Sequence, residues 1–398
     1  MTRAGRWPWW AQVLAVHLAV RAFDAVVFAL VARTQAANPW TDAAPSYLQY
    51  TSSMWDADWY RQIAEHGYPE QLPVGRDGEV HQNAWAFFPM LPGLARALGA
   101  VGVQWQVAAP LIALVAGTVA MLVVYRVVAD LPAVAGSERA RHVPLATVAI
   151  LTSFASAPVL QVGYTEALAL LLVAAILRSL QLQTYLVAIP LVFALGLTRA
   201  VVVPIAAVIA VHALRRWRAV RRGEEVMSPG QWWSVGALLV GAGVAALAWP
   251  AMAGLVTGEP DAFVRTQAAW RAHQAVLPLL PWVEIPPLLL GGWGGLITPA
   301  VLVLTAAALS GRTGRALGDL RTWVVAYLVY LVLATEPGTS QFRFWLLAFP
   351  LAVVPAAWAL RRRRQAIALG AIIAFGLLGQ VAWIALVWRL VPPSGWPP

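Results

Sequence analysis

The sequence predicts an all-α protein that crosses a membrane many times. Of its 398 residues, 60% are hydrophobic and only 12% are charged, whereas a soluble domain has about a quarter charged residues. The mean hydropathy is +0.67, and long apolar runs alternate with clusters of arginine along the chain. A soluble globular protein is excluded, because too few polar residues are present to cover a surface that faces water. We therefore expect the chain to be divided among membrane spans.

The apolar runs approach the roughly 20 residues that a helix needs to cross a bilayer. We expect about eleven transmembrane helices, all in one membrane-embedded domain over residues 1–398. Their predicted positions are 9–32, 104–126, 143–160, 165–180, 184–198, 200–214, 232–256, 286–309, 322–335, 344–360 and 365–388.

The arginine clusters predict the orientation of these spans. The chain has no lysine, and most of its 28 basic residues precede the first span or follow every second one, as at 361–364. Cytoplasmic loops carry an excess of basic residues, so we expect a multi-pass protein of the cell membrane with a cytoplasmic N-terminus. Such clusters contact lipid headgroups, which explains the net charge of +10 without nucleic-acid binding.

Two loops on the predicted external side are long enough to form a site. The first, residues 33–103, is the longest polar stretch and carries most of the external carboxylates. Its patterns at 54–66 and 84–98 predict short interfacial helices. The second external loop covers 257–284. Because the chain has no cysteine, thiolate metal sites and cysteine nucleophiles are excluded.

The strongest candidate for chemistry is the segment 55–69 of the first loop. At about 100° per residue, a helix over 55–66 places Trp55, Trp59 and His66 on one face, with Asp56 at its edge. Asp56 then faces protein or membrane, and burial raises the pKa of a carboxyl group, which suits a general base. The alternative is a helix cap, since aspartate is favoured at helix N-termini.

Other polar residues of this segment are candidates for substrate binding. Asp58 falls on the opposite side of the helix, where it either contacts substrate or forms a solvated ion pair with Arg61. His66 and Tyr68 either hydrogen-bond a polar substrate or anchor the loop at the interface. Because no metal-ligand spacing such as HExxH is present, we predict no cofactor and leave a dependence on divalent metal open.

An apolar segment with two prolines follows at 87–92. Phe87 and Phe88 either belong to the core of the bundle or line a wall for a lipid chain, together with the tenth span. Both interpretations are compatible with the sequence.

Polar residues at three other places are predicted to lie on the same external side. They are Tyr164 and Glu166 at the start of the fourth span, Arg199 after the fifth, and Gln341 and Arg343 at the start of the tenth. Ionisable groups at the edge of the hydrocarbon are costly and are usually paired or functional. A guanidinium group pairs two phosphate oxygens, so Arg343, followed by Arg199, is a candidate for binding a lipid-linked phosphate. The alternative for both is a structural ion pair with Glu166 or Glu336.

Two further features have both a functional and a structural interpretation. In the second external loop, Gln267 and Trp270 have a spacing compatible with one helical face, and Trp270 is a candidate for stacking on a sugar ring. Within the first span, Arg21 and Asp24 either neutralise each other in the bundle interior or form a proton relay.

Together these motifs resemble the PIG-V family of mannosyltransferases, which belongs to the GT-C membrane glycosyltransferases. The motifs occur in order over most of the chain, and the first is the most specific. They are WD…Y…IAEHGYP (55–69), AFFPMLP (86–92), GYTEALAL (163–170), Thr198-Arg199 and SQFRFWLLAFP (340–350).

The resemblance implies a GT-C-type bundle and the transfer of mannose from a polyprenyl- or dolichyl-phosphate donor on the outer face. The family's essential acidic residue in the first external loop corresponds to Asp56, and one base with a leaving phosphate suffices for a single displacement with inversion. The chain departs from the family at Met54, where a basic residue usually precedes Trp-Asp. The eukaryotic members build GPI anchors, but the composition favours a bacterial relative. The acceptor is then a glycolipid, a lipoglycan or a protein hydroxyl.

Three other functions are compatible with the sequence. A transporter or flippase of a lipid-linked sugar explains the many spans, but not one large external loop rich in carboxylates. A related GT-C enzyme that transfers another sugar, such as arabinose, glucose or an aminosugar, has the same sequence features, because sugar identity depends on a few hydroxyl contacts. A scaffold subunit of a cell-envelope complex predicts that no single external polar residue is essential.

Overall fold

A computed structural model describes residues 7–135, 142–273, 278–391 and 398. Within these ranges the regular structure is helical, apart from one isolated β-bridge between Val74 and Val80. The prediction of an all-α protein is therefore confirmed. Four arginines of the predicted cytoplasmic clusters, at positions 3, 6, 139 and 141, lie outside the described residues.

The first half of the chain contains long apolar helices and, in the connections between them, short helices. They are α1 (Trp9–Ala32), α2 (Tyr47–Ser52), α3 (Asp56–His66), α4 (Met90–Gly99), α5 (Trp105–Ala129), α6 (Pro132–Ala135), α7 (Val143–Thr152), α8 (Glu166–Gln181), α9 (Tyr185–Gly196) and α10 (Val202–Arg221). Two 3₁₀ turns, Ala84–Ala86 and Ala157–Gln161, precede α4 and α8.

The second half continues this pattern. Its α-helices are α11 (Pro229–Thr257), α12 (Ala262–Trp270), α13 (Leu280–Leu290), α14 (Ile297–Ser310), α15 (Arg312–Arg315), α16 (Asp319–Ala334), α17 (Gln341–Phe344), α18 (Val353–Leu360) and α19 (Gln365–Trp383). Two 3₁₀ segments, Gly292–Leu296 and Trp345–Ala352, and a π-helical turn, Ile384–Trp388, complete it.

Six of the described helical segments are long and apolar enough to cross a membrane. They are Trp9–Ala32, Trp105–Ala129, Pro229–Thr257, Gly292–Ser310, Gln341–Leu360 and Gln365–Trp388. Each coincides with a predicted span, which supports a membrane protein. The other predicted spans correspond to helices that are shorter, such as α7, or that end in arginines, such as α10. The number of about eleven passes therefore stays a prediction.

The long helices pack side by side around α5 and α8. Contacts join α5 to α8, α8 to α9, and α9 to α11. The helix α8 is buried on nearly all sides, whereas α14 and α19 are mostly exposed. An apolar helix exposed in this way is compatible with lipid as its solvent, since the exposed side chains are hydrophobic.

The first loop folds back onto one end of this bundle, which we call the loop end. The indole Nε1 of Trp105 at the start of α5 donates to the carbonyl of Ser52 at 2.7 Å. The backbone N–H of Gly163, before α8, donates to the carbonyl of Thr51 at 2.8 Å. The backbone of the first loop therefore lies against the starts of both helices.

Of the two helices predicted in the first loop, the one at 54–66 is observed, whereas the one at 84–98 is interrupted at its centre. The pattern at 54–66 forms α3, but the pattern at 84–98 divides into a 3₁₀ turn and α4. Phe87 is extended, with φ −108° and ψ 141°. The helix cannot continue through Phe88, because a residue before proline disfavours the α conformation and Pro89 follows.

Candidate active site

Four ionisable side chains from four distant segments form a continuous ionic chain at the loop end. Nη2 of Arg343 lies 2.7 Å from Oδ2 of Asp56, and its Nη1 lies 3.0 Å from Oε1 of Glu166. The same Glu166 oxygen accepts from Nη1 of Arg199 at 2.7 Å. The order is therefore Asp56, Arg343, Glu166 and Arg199, and the formal charges alternate in sign.

Burial differs along this ionic chain. The side chain of Glu166 is 1% exposed and that of Arg343 is 8% exposed, whereas Asp56 and Arg199 are 20% and 17% exposed. Removing charges from water is costly unless the charges are paired. The two buried side chains, Glu166 and Arg343, pair with each other. The two ends remain within reach of a ligand.

The backbone before α3 directs Asp56 towards Arg343. Trp55 occupies the N-cap position with φ 59° and makes no side-chain capping bond. A left-handed conformation is unfavourable for a large side chain, and Trp55 is held by a 2.7 Å bond from its Nε1 to the carbonyl of Trp388. The N–H of Asp56 donates to the hydroxyl of Tyr164 at 3.2 Å. The cap interpretation of Asp56 is thus less favoured than an ionic role.

Aromatic rings fix the orientation of the two arginines. The guanidinium of Arg343 lies over the ring of Tyr164 at 4.9 Å from its centroid, and that of Arg199 lies 4.5 Å from the centroid of Phe344. Phe344 also contacts Arg343, at 5.2 Å. These cation–π contacts favour the charged form of each arginine and restrict its rotation.

The segment 153–165 between α7 and α8 brings Tyr164 and Glu166 to the site, and buried polar groups hold it there. Arg21 of α1 donates to the carbonyl of Thr152 at 2.8 Å and also to that of Ala157. Gln380 of α19 donates to the carbonyl of Thr152 at 2.8 Å. Arg21 also pairs with Asp24 at 2.8 Å. The Arg21–Asp24 pair therefore contributes to the support of the site.

A second contact couples this segment to Arg343 directly. The hydroxyl of Ser156 donates to the carbonyl of Phe342 at 2.6 Å. Because Phe342 precedes Arg343, the segment that carries Glu166 also positions the short helix α17.

A small apolar crevice opens beside Arg199. Its volume is about 110 Å³, and apart from Arg199 the side chains that line it are apolar or aromatic. The lining includes Phe88, Pro250, Phe263 and Tyr330. The crevice therefore places an apolar surface next to a guanidinium group, which suits a ligand with a hydrocarbon part and an anionic part.

Phe87 lies elsewhere, in an aromatic group beside α3. Its ring stacks on Trp59 at 5.6 Å and meets Trp270 edge-on at 5.3 Å. Nε1 of Trp270 donates to the carbonyl of Asn83 at 3.3 Å, and Gln267 is half-buried on the same helix. The second loop thus packs on the first through Trp270. Of the two phenylalanines, only Phe88 lines the crevice, and the wall role of both stays a prediction.

The remaining candidate residues lie outside the ionic chain. Asp58 pairs with Arg61 at 2.6 Å on the opposite side of α3. His66 is exposed at the end of that helix. Tyr68 stacks on Trp85 at 4.6 Å and donates to the carbonyl of Phe87 at 3.0 Å. Their contribution to substrate binding stays a prediction.

Gln341 begins the same short helix as Arg343 but faces another partner. Its Nε2 donates to Oγ1 of Thr335 at 2.8 Å and to the carbonyl of Glu336 at 3.0 Å. These bonds join α17 to the end of α16. A structural ion pair between Arg343 and Glu336 is not what the structure shows, because Arg343 pairs with Asp56 and Glu166.

Tyr60 is a residue near the site to which the sequence analysis gave no role. It is buried one turn after Asp56, and its hydroxyl lies 3.3 Å from Oγ1 of Thr165. Burial raises the pKa of Tyr60 well above that of an exposed tyrosine. Tyr60 therefore keeps its proton and can act as a hydrogen-bond donor. Its spacing of four residues from Asp56 was the available signal.

No group of three or more histidine, aspartate or glutamate side chains with the arrangement of a metal site occurs in the described part of the chain. The ionic chain contains two guanidinium groups, and a guanidinium group can form two parallel hydrogen bonds with a phosphate group.

No protein-family model matches the chain, and no curated protein matches it. Among solved structures, it is similar to an oligosaccharyltransferase of Archaeoglobus fulgidus tethered to an acceptor peptide with the NVT sequon, with 14% identity, a TM-score of 0.43, and coverage of 93% of this chain and 54% of that chain. The archaeal oligosaccharyltransferase AglB of the same organism, in complex with an inhibitory peptide and a dolichol-phosphate, gives the same four values. The apo form of the Archaeoglobus fulgidus oligosaccharyltransferase has 13% identity and a TM-score of 0.42, with coverage of 93% of this chain and 54% of that chain. The chain thus spans about half the length of these solved chains.

Proposed function

We propose that the protein transfers a mannosyl residue from a polyprenyl-phosphate donor to a hydroxyl group of a glycolipid, lipoglycan or protein acceptor. The reaction takes place at the loop end, on the external face of the cell membrane. The observation that carries the proposal is the ionic chain from Asp56 to Arg199, which ends beside an apolar crevice. The motif resemblance to PIG-V mannosyltransferases supports mannose as the sugar.

The donor lipid is bound by the crevice and the two arginines. Part of the polyprenyl chain lies against Phe88 and Phe263, and the phosphate lies at Arg199. Apart from the Nη1 bond to Glu166, the side-chain N–H groups of Arg199 have no hydrogen-bond partner among the described residues. Arg199 is thus the first phosphate contact and Arg343 the second, the reverse of the order predicted from the sequence.

Binding of the donor phosphate weakens the ion pair between Asp56 and Arg343. In the structure the Asp56 carboxylate is paired with Arg343 at 2.7 Å. A phosphate oxygen that approaches Arg343 competes for the same guanidinium and weakens this pair. Asp56 then accepts a proton from the acceptor, so the base becomes available when the donor is in place.

The chemical step is a single displacement. The acceptor oxygen attacks the anomeric carbon of the mannosyl group, and the bond between that carbon and the phosphate oxygen breaks. The acceptor proton moves to the carboxylate of Asp56, and the electron pair of the broken bond leaves with the polyprenyl phosphate. Arg199 and Arg343 stabilise the charge that develops on the leaving phosphate, and the sugar configuration is inverted.

Glu166 positions both arginines and takes no part in the proton transfer. Its Oε1 accepts from Arg199 and Arg343, and its Oε2 is buried without a hydrogen-bond partner among the described residues. A carboxylate held between two guanidinium groups fixes their spacing, which is the requirement for binding one phosphate with both.

A transfer assay with the purified protein tests the proposed function. The protein in lipid nanodiscs is incubated with radiolabelled polyprenyl-phosphate mannose and native envelope lipids, and the products are identified by mass spectrometry. We expect a mannosylated product that forms only when the protein is present. Uptake of the donor into proteoliposomes without any covalent product would indicate a flippase instead, and a product formed only from a glucose or arabinose donor would overturn the assignment of the sugar.

A further inference from the structure

A depression at the loop end lies on the side of α3 that faces away from the ionic chain. It consists of two adjoining cavities of about 300 Å³ and about 500 Å³, which share Glu65, Gln104 and Trp105 in their walls. Arg61 and Glu65 lie roughly 140° and 180° around α3 from Asp56. We name this depression the amide groove after its glutamines. The proposed donor site uses none of its residues.

The walls of the amide groove combine neutral amides with indole rings. The first cavity is lined by Gln49, Gln104 and Gln106, by Ser53 and Thr41, and by Trp40 and Trp105. An amide offers both donors and acceptors, which suits the hydroxyl groups of a sugar, and the indole faces offer flat apolar surface for the C–H faces of a sugar ring.

The charged residues of the first cavity are paired within α3. Arg61 pairs with Glu65 at 2.9 Å and with Asp58 at 2.6 Å, so its guanidinium is not available to an anion without breaking these bonds. In the second cavity, Arg96 is exposed and forms no ion pair among the described residues. The first cavity, whose charges are paired, therefore favours a neutral, hydroxyl-rich ligand over an anionic lipid headgroup.

Two of the amides have unused hydrogen-bonding capacity. Gln104 is exposed and Gln106 is half-buried, and neither side chain has a hydrogen-bond partner among the described residues. By contrast, Trp105 uses its Nε1 for the carbonyl of Ser52 at 2.7 Å, which fixes the ring in the wall of both cavities. The groove thus has a rigid aromatic centre and free polar groups beside it.

We infer that the amide groove binds the carbohydrate part of the acceptor, as a neutral oligosaccharide chain that continues from the hydroxyl being modified. The inference rests on the proposed function for the identity of the ligand as the acceptor. The groove and Asp56 lie on opposite faces of α3, about one helix diameter or ~10 Å apart. An acceptor that occupies both places is therefore longer than one sugar unit, and the groove selects glycan chains over small alcohols.

The test measures binding separately from transfer. Linear mannotetraose is titrated against the full-length protein in nanodiscs, and binding is followed by saturation-transfer difference NMR. The variant is Gln104→Ala/Gln106→Ala, because these side chains make no internal hydrogen bonds and their removal leaves the fold intact. The matched control is Gln71→Ala, an exposed glutamine of the same loop that lies outside the groove. Glycerol phosphate serves as the probe for a lipid headgroup.

We expect mannotetraose to bind the wild-type protein and the Gln71→Ala control equally, and the double variant with about a tenfold higher Kd. Equal Kd values for the wild type and the double variant, no binding of mannotetraose, or binding of glycerol phosphate that is lost in the double variant would each overturn the inference. The transfer assay separates the two proposals. If the wild-type protein forms no mannosylated product, the proposed function fails, whereas the binding of mannotetraose by the wild type and the double variant decides the groove alone.

Discussion

The carboxylate of Asp56 accepts a hydrogen bond of 2.7 Å from Nη2 of Arg343, across 287 positions of the chain. Nη1 of the same guanidinium donates to Glu166 at 3.0 Å, so one arginine joins an accessible carboxylate to a buried one. An anion that binds Arg343 competes with Asp56 for it. Donor binding and the availability of the base are coupled through this single side chain.

The first prediction concerns the bridging geometry of Arg343. Arg343→Lys keeps the positive charge but cannot donate to Asp56 and Glu166 through two separate nitrogens of a planar group. We expect kcat/KM for mannosyl transfer to fall by about a hundredfold or more. Arg265→Lys is the matched control, because Arg265 forms a partly exposed pair with Glu259 at the loop end. Wild-type kcat/KM for Arg343→Lys would show that the bridge has no catalytic role.

The second prediction concerns the stability provided by Glu166. Glu166→Gln removes the charge between two largely buried guanidinium groups, and the loss of one partner of a buried ion pair costs about 3 kcal/mol or more. We expect the free energy of unfolding in detergent to fall by about this amount. Glu224→Gln, which affects an exposed pair with Arg222, should change it by less than about 1 kcal/mol. Equal effects of the two substitutions would contradict the arrangement.

The third prediction concerns the apolar crevice. Ala246 lines it and Ala248, two positions further on α11, does not. Ala246→Phe fills the crevice, so we expect a higher KM for a long-chain polyprenyl donor and a smaller change for a donor with a short chain. Ala248→Phe should leave both KM values unchanged. The idea that the crevice holds the lipid is refuted if Ala246→Phe affects neither donor.

The fourth prediction concerns the support of the segment 153–165. A Cβ atom at Gly376 of α19 would lie 2.2 Å from the carbonyl oxygen of Ser153, whereas one at Gly370 meets nothing within 4 Å. We expect Gly376→Ala to displace α19 from this segment and to lower both the thermal stability and the transfer rate. Gly370→Ala should leave the rate unchanged. Thermal unfolding and transfer by the two purified variants provide the comparison, and identical behaviour of both would contradict the packing.

Much of the architecture could be predicted from the sequence, because long apolar runs indicate helices surrounded by lipid and arginine clusters indicate loops in water. The pattern at 54–66 corresponds to α3, and the six candidate spans coincide with predicted ones. One helix was predicted over 84–98, because the pattern of apolar residues there is helical. This prediction did not take into account that Pro89 disfavours the helical conformation of Phe88. The helices α7 and α9 are shorter than the roughly 20 residues that a helix needs to cross a bilayer. A rule based on length therefore does not identify them, since a helix buried among other helices can be shorter than the bilayer is thick.

The site was predictable in part. The distribution of arginine predicts that Asp56, Glu166, Arg199 and Arg343 lie on one side of the membrane, and the structure joins these residues through ion pairs. The pairs of Arg199 and Arg343 with Glu166 were among the alternatives that the sequence offered. The contact between Arg343 and Asp56 was not predicted, since it depends on how α17 packs against α3 and the start of α8. The depression formed by Gln104 and Gln106 left no signal, because isolated glutamines on a surface have no characteristic spacing.

The most direct test of the proposed mechanism is the rate of mannosyl transfer by Asp56→Asn. Asparagine has nearly the same shape as aspartate but cannot accept the proton of the acceptor hydroxyl. We predict that the purified variant inserts normally, still binds the polyprenyl-phosphate mannose donor, and transfers mannose at least about a hundredfold more slowly than the wild type. Transfer at the wild-type rate by correctly folded Asp56→Asn protein would contradict the assignment of Asp56 as the base.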